Sequence, residues 1–155
     1  MYGITAELVA GYASLFVHCW DYYAVQQRDG SYRPTYQPLT LARLADHLCG
    51  RYTLGTYSTD REGLCAWVVF DADGDDGLAR LVLLAEELAG QGVPLALEAS
   101  RRGGHAWGVL AQPVPAWVVR RWLLPYALAY GVELYPKQDA VPGGGVGNLV
   151  RMPLG

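Results

Sequence analysis

The chain has 155 residues, 52 % of them hydrophobic and 17 % charged, which suffices for one domain on an ordinary core, with no linker, repeat or low-complexity tract. A net charge of −3 gives no general attraction for nucleic acid, so any polyanion must be gripped by a local basic patch. Cys19, Cys49 and Cys65 are odd in number, far apart and without a C-x-x-C pair, which argues against a disulfide framework or a zinc ribbon and makes a reducing cytoplasm the expected compartment.

Thr5 to Cys19 predicts a first helix, with Leu8, Tyr12, Leu15 and Phe16 at helical spacing, and His18 near its end is expected to be structural or exposed. The uncharged run from Leu8 to Trp20 has no Lys or Arg before it and is shorter than the roughly 18 to 20 residues of a membrane span, so a soluble chain without a leader is expected. Trp20 to Pro38 reads as a short hairpin turning at Asp29-Gly30, followed by a loop. Its Tyr and Trp residues are expected to pack, with base stacking as the alternative. Thr40 caps a helix over Leu41 to Cys49 that Gly50 stops. Its stripe is Leu41, Leu44, Ala45 and Leu48, which leaves His47 for the surface.

Tyr52 to Ser58 reads as a strand and Thr59 to Gly63 as a polar turn. Trp67 to Phe70 is a β-prone apolar run that ends abruptly in Asp71, Asp73, Asp75 and Asp76. Leu78, Leu81, Val82, Ala85 and Leu88 then recur at helical spacing as far as Gly90 and Gly92, and Pro94 to Ser100 forms a strand with Ala96, Glu98 and Ser100 on one face. Ser100 to Gly104 is a tight turn, from which His105 to Leu110 returns with His105 and Trp107 on one face. A helix from Pro113 or Pro115 carries Val118, Val119, Trp122, Leu123 and Tyr126 and is expected to kink at Pro125. Val132 to Tyr135 is a strand with Glu133 and Tyr135 facing the same way, and a Gly-rich loop leads to a last strand around Leu149 to Met152.

The acidic cluster is where the chemistry is expected. Side chains alternate along a strand, so Asp71 and Asp73 project to one side within reach of one hard cation, and their repulsion calls for a metal, a cationic group or a raised pKa. An EF-hand loop starting at Asp71 fails, because its sixth and twelfth positions hold Asp76 and Val82. A haloacid-dehalogenase-type phosphatase lacks its Thr, since Asp75 stands there, but stays open as an alternative. The bland alternative is a solvated acidic turn. Eleven of the twelve basic residues are Arg, and the sole Lys, Lys137, suggests a need for a compact ammonium.

From Trp67 onward the order β-α-β-β-α-β predicts an α+β fold, with an RRM-like (ferredoxin-like) core at 64–155 and an N-terminal α/β extension at 1–63 packed on it. Polar residues end or interrupt apolar strands at Asp71 with Asp73, at Ser100 with His105, and at Glu133. With ELYPKQ at Glu133 to Gln138, GNLVRMPLG at Gly147 to Gly155 and HLCGRYTLGTY at His47 to Tyr57, this pattern resembles the archaeo-eukaryotic primase superfamily. The likeness is to the primase-polymerase domains of TOTE conflict systems and CRISPR-associated primase-polymerases, and it covers most of the chain. Relatives commonly continue past the equivalent of Gly155, so a further C-terminal piece is expected. No zinc-binding cluster accompanies the pattern, so de novo priming is not implied.

The resemblance implies a DNA-templated nucleotidyltransferase, a primase or polymerase adding nucleotides to a 3′-hydroxyl with release of pyrophosphate. Asp71, Asp73 and Glu133 would hold two ions, Mg²⁺ or Mn²⁺, and Ser100, Arg101, His105, Lys137 and Arg151 would bind the nucleoside triphosphate, whether NTP or dNTP. The implied partners are a DNA template and primer, with helicase or CRISPR and defence proteins around them, and no membrane. Two rival readings stay open, a non-catalytic RRM-like nucleic-acid-binding module and a metal-dependent phosphohydrolase. So do plainer roles: Glu133 as an exposed strand residue, His105 as a satisfied sheet histidine, and Arg101 with Arg102 as a solvated hairpin tip. Glu98 would orient His105 or a phosphate-binding side chain, or serve as an unrelated ion-pair partner, and carries no weight in the assignment.

Overall fold

A computed structural model describes residues 3–141, 143 and 145–155. Its first half is α1 (Ala6–Phe16), β1 (Tyr23–Gln26), β2 (Tyr32–Thr35), α2 (Leu41–Leu48) and β3 (Leu54–Tyr57). Thr5 and Thr40 cap the two helices through their side-chain oxygens, which accept from the backbone N–H groups of Leu8 and Arg43. The β1–β2 hairpin turns where expected, its turn held by Asp29, whose carboxylate accepts from the Ser31 N–H and hydroxyl.

The second half is β4 (Leu64–Asp73), α3 (Gly77–Gly90), β5 (Ala96–Ser100), β6 (Gly103–Pro115), α4 (Ala116–Tyr130), β7 (Glu133–Tyr135) and β8 (Leu149–Arg151). Two four-stranded sheets result, in the orders β2-β1-β3-β8 and β5-β6-β4-β7, and every pairing is antiparallel. The fold is of the α+β kind. None of the helices described is long and apolar enough to cross a membrane.

The second sheet has two apolar faces. Val68, Phe70 and Ala72 of β4, with Ala106 and Leu134, pack on Leu81, Leu84 and Leu88 of α3 and on Val119, Leu123 and Ala127 of α4. The opposite face begins apolar, where Trp67, Val69 and Trp107 meet Val150 of the first sheet and Phe16 of α1. Further along β4 that same face carries Asp71 and Asp73. The strand is therefore core on one side throughout and changes from core to site on the other.

Several boundaries differ from expectation, each through a partner distant in sequence. α1 ends at Phe16, and His18 beyond it pairs with Asp60 at 3.0 Å. β6 continues to Pro115 because its far end pairs with the start of β4, Leu64 opposite Pro115 and Cys65 opposite Val114, across a register shift before Trp67. α4 then starts at Ala116 and continues through Pro125. β8 lies beside β3, with Val150 opposite Thr56 and Arg151 opposite Gly55, so the last strand joins the first sheet.

His47 is the clearest correction. It is fully buried, not on the surface. Its Nδ1 accepts from the Leu54 N–H at 3.2 Å, so in the neutral ring Nε2 carries the proton and donates to the Pro153 carbonyl at 2.9 Å. The Tyr12 hydroxyl donates to the same carbonyl at 2.7 Å. Off the Leu41–Leu44–Leu48 stripe, His47 faces β3 and the chain's last residues, a side of α2 that periodicity treats as free.

Burial pushes the His47 imidazole below its ordinary 6.5. Its folded value lies below its unfolded one, so its contribution is full above the ordinary value and is lost as pH falls through the folded value. His47→Ala should destabilise the domain in urea denaturation, by about 1–3 kcal/mol for each buried group left unpaired. The gap between wild type and variant should narrow from about pH 8 to about pH 5. A gap that is constant across that range, or absent, contradicts the buried neutral role.

Candidate active site

Register brings four polar residues into one row across the second sheet. Glu98 of β5 lies opposite His105 of β6, His105 opposite Asp71 of β4, and Asp71 opposite Glu133 of β7. The next row on the same face holds Ser100, Gly103 and Asp73. Gly103 is required there, because a Cβ would stand 1.8 Å from the Ala72 carbonyl oxygen, and only a bare backbone lets the Ser100–Gly104 turn close over the end of β4.

The rows line a cleft of about 1150 Å³ whose walls come from both sheets. Asp71, Asp73, Glu98, Ser100, Arg101, Arg102 and His105 line it from the second sheet, and Gln26, Tyr32 and Arg151 from the first. Of the eight residues expected at the site, six therefore line one space. Glu133 and Lys137 stand at the β7 edge, outside that lining, bound to each other with Nζ to Oε2 at 2.7 Å. Lys137 also lies over the Tyr135 ring, 4.7 Å from its centre. Burial works against the ammonium, but the bonds to Glu133 and Tyr135 together outweigh it and hold the Lys137 pKa above the ordinary value.

The acidic cluster of the sequence separates in space. Asp71 and Asp73 face the cleft, whereas Asp76 turns to α3 and pairs with Arg80 at 3.3 Å. The Arg80 guanidinium also donates to the Asp73 carbonyl at 2.9 Å, fixing the strand end against the helix. Within the polar row the carboxylates on either side of His105, Asp71 and Glu98, have opposite environments. Burial pushes Asp71 up, His105 offsets part of this, and the neighbouring charges of Asp73 and Glu133 add to it. Burial also acts to raise Glu98, but the hydrogen bond from His105 and the charge of Arg151 prevail and hold it below the ordinary glutamate value.

Glu98 is the functional candidate that carried no weight in the reading of the sequence. Its Oε2 accepts from His105 Nδ1 at 3.0 Å, and its Oε1 from Arg151 Nη2 at 2.9 Å. The available signal was its place two residues before Ser100 on the same face, but only strand register reveals its partners.

Among the described residues, no group of three or more His, Cys, Asp or Glu side chains is gathered as a ready-made metal cluster. The donor set nonetheless fits a hard divalent cation. Asp71 and Asp73 offer oxygen ligands to the cleft, Asp71 is destabilised as an anion by burial and then by its acidic neighbours, and Glu133 lies directly across from it.

A family model described as the archaeo-eukaryotic primase domain of the TOTE conflict system matches residues 5–155. No curated protein matches the chain. The match takes in the polar row, the Ser100–Gly104 turn and β8. The chain therefore belongs to the archaeo-eukaryotic primase domain family of the TOTE conflict system, and so to the primase- and polymerase-type nucleotidyltransferases, which act with divalent metals on nucleotide and nucleic-acid substrates.

Proposed function

We propose that the domain is a DNA-templated primase or polymerase that joins nucleoside triphosphates, NTP or dNTP, to a 3′-hydroxyl and releases pyrophosphate. The observation that carries this reading is that Asp71 and Asp73, oxygen ligands for cations, line one cleft with Ser100, Arg101, His105 and Arg151, groups that can receive phosphates, while Glu133 lies opposite Asp71 on β7. The order β5-β6-β4-β7, with α3 and α4 on one face, supports an RRM-like core.

In this reading Asp71, Asp73 and Glu133 hold two ions, Mg²⁺ or Mn²⁺. Bound there, the ions supply activation of the 3′-hydroxyl and neutralisation of the triphosphate. Asp71 and Asp73 fix the cation positions from a rigid strand whose other face is core. The Ser100 hydroxyl, the amides of the following turn and Arg101 receive the phosphates, and His105 presents Nε2 to them, donating when that nitrogen is protonated. Arg151 offers a planar fork from the opposite sheet and Lys137 a point charge at the β7 edge. The proposed setting is the cytoplasm, where the three free cysteines stay reduced, with a DNA template and primer as substrates and a helicase or CRISPR and defence proteins as partners.

Asp71→Asn with Asp73→Asn should lower primer extension by at least about a hundredfold, a loss of the size expected when transition-state charge stabilisation is removed. The fold should not suffer. The Asp71 pKa is raised on folding, so its contribution is present below the unfolded value of 3.8 and is lost as pH rises through the folded one. Asp71→Asn should therefore melt no lower than wild type at neutral pH, and Mn²⁺ should raise the melting temperature of wild type but not of the double variant. Extension that survives the double substitution would remove the metal site.

His105→Ala should weaken triphosphate binding by about 1–3 kcal/mol, the cost of one charge-assisted hydrogen bond, without abolishing the Mn²⁺ shift in melting. A labelled primer-template incubated with Mn²⁺ and triphosphates, assayed together for extension, pyrophosphate and free phosphate, separates polymerase from hydrolase. Free phosphate without extension from the wild type rejects the polymerase reading.

A further inference from the structure

The nucleotidyltransferase reading gives Glu98 no role, yet Glu98 is the most fully bonded carboxylate of the cleft, with only 15 % of its side chain exposed. Its Oε2 accepts from His105 Nδ1 at 3.0 Å and from Trp107 Nε1 at 3.4 Å, both on β6. Its Oε1 accepts from Arg151 Nη2 at 2.9 Å and from the Leu154 N–H at 3.3 Å, both in the chain's last stretch. One carboxylate is thereby divided between the two sheets.

The chemistry of each contact fixes an orientation. An ionised carboxylate only accepts, so the His105 nitrogen that faces it carries the proton, and Nδ1 is the N–H. The other nitrogen, Nε2, then faces Asp71, whose Oδ1 at 3.6 Å is beyond hydrogen-bond range. Arg151 is clamped by two of its N–H groups, Nη2 on Glu98 and Nη1 on the Gly155 carbonyl at 2.9 Å, which sets the plane of the guanidinium and leaves its remaining donors unassigned.

We propose that Glu98 is a positioning residue for the triphosphate, an inference that rests on the nucleotidyltransferase reading. By holding His105 of one sheet and Arg151 of the other on a single carboxylate, it sets the Arg151 fork and the Nε2 edge of His105, which donates only when the ring carries both protons, in a fixed relation before nucleotide arrives. The ordering of a rotamer-rich Arg is then part of folding and not a cost of binding. The same bonds in a purely structural clip would hold the sheets together without affecting how tightly a triphosphate binds to the folded protein.

The test compares the whole chain with Glu98→Ala and Glu98→Gln. Imidazole ¹⁵N spectra, taken without metal or nucleotide at about pH 8.5, where an ordinary imidazole is neutral, should show His105 protonated at Nδ1 in wild type. In Glu98→Ala the proton should move to Nε2, because Asp71 is then the carboxylate left beside the ring. His105→Ala assigns the signal. With Mn²⁺, Glu98→Ala should raise the KM for triphosphate about tenfold, the scale of one charge-assisted hydrogen bond, because the Arg151 fork is no longer held, with a smaller change in kcat. That effect should vanish when His105→Ala and Arg151→Ala are already present. Glu98→Gln keeps the shape but offers one acceptor instead of two, so it should shift KM in the same direction and carries the test if the Ala variant fails to fold. A lower melting temperature with unchanged KM in both variants would make Glu98 a structural clip and overturn the proposal, as would a His105 proton that stays on Nδ1 in Glu98→Ala. If the wild type binds no triphosphate, the nucleotidyltransferase reading fails, while the ring spectra still decide whether Glu98 holds His105.

Discussion

The register of β4 against β6 is the constraint on which the site depends. With Phe70 opposite Ala106 and Asp71 opposite His105, Val68, Phe70 and Ala72 of β4 point to α3 and α4 and the carboxylates point to the cleft. A slip of one residue would exchange the faces, placing Asp71 among leucines and Phe70 in the cleft. Large side chains on both faces penalise that exchange, since Val68 and Phe70 are fully packed on one side and Trp67 and Val69 on the other. Gly103 secures the end of the register, because the approach of its bare backbone to the Ala72 carbonyl has no room for a side chain.

Given that register, the polar row distributes charge unequally. Glu98 is surrounded by donors and is stable as an anion, whereas Asp71 is disfavoured as an anion by burial and by the charges of Asp73 and Glu133, with His105 as a partial offset. Two carboxylates on either side of β6 thus have opposite tendencies, one satisfied by the protein and one that gains from added positive charge. The same contrast appears at the β7 edge, where Glu133 is neutralised by Lys137 within the protein itself.

The cleft exists because the last strand returns to the first sheet. β8 pairs with β3, and the carbonyl of Pro153 beyond it is held by Tyr12 of α1 and His47 of α2. This anchoring puts Arg151 across the cleft from His105, where Glu98 can bond both. A buried histidine on a helix remote from the polar row therefore helps set the site, through the backbone that leads to Arg151.

Local signals in the sequence determined much of this protein. Threonine caps, the Asp29-Gly30 turn, the apolar run into Asp71 and Asp73, and the helical spacing after Gly77 each depend on residues a few positions apart, and each element formed near its expected place. Period-two alternation likewise put Asp71 with Asp73, and Glu98 with Ser100, on common faces. Only the tertiary structure decided which strands lie side by side, and hence that Glu98 bonds His105 and Arg151, that His47 is buried, and that β8 completes the first sheet. Those outcomes depend on hydrogen bonds and packing between residues tens of positions apart, whose pairing is chosen by the burial of whole faces and leaves no local periodic trace in the chain.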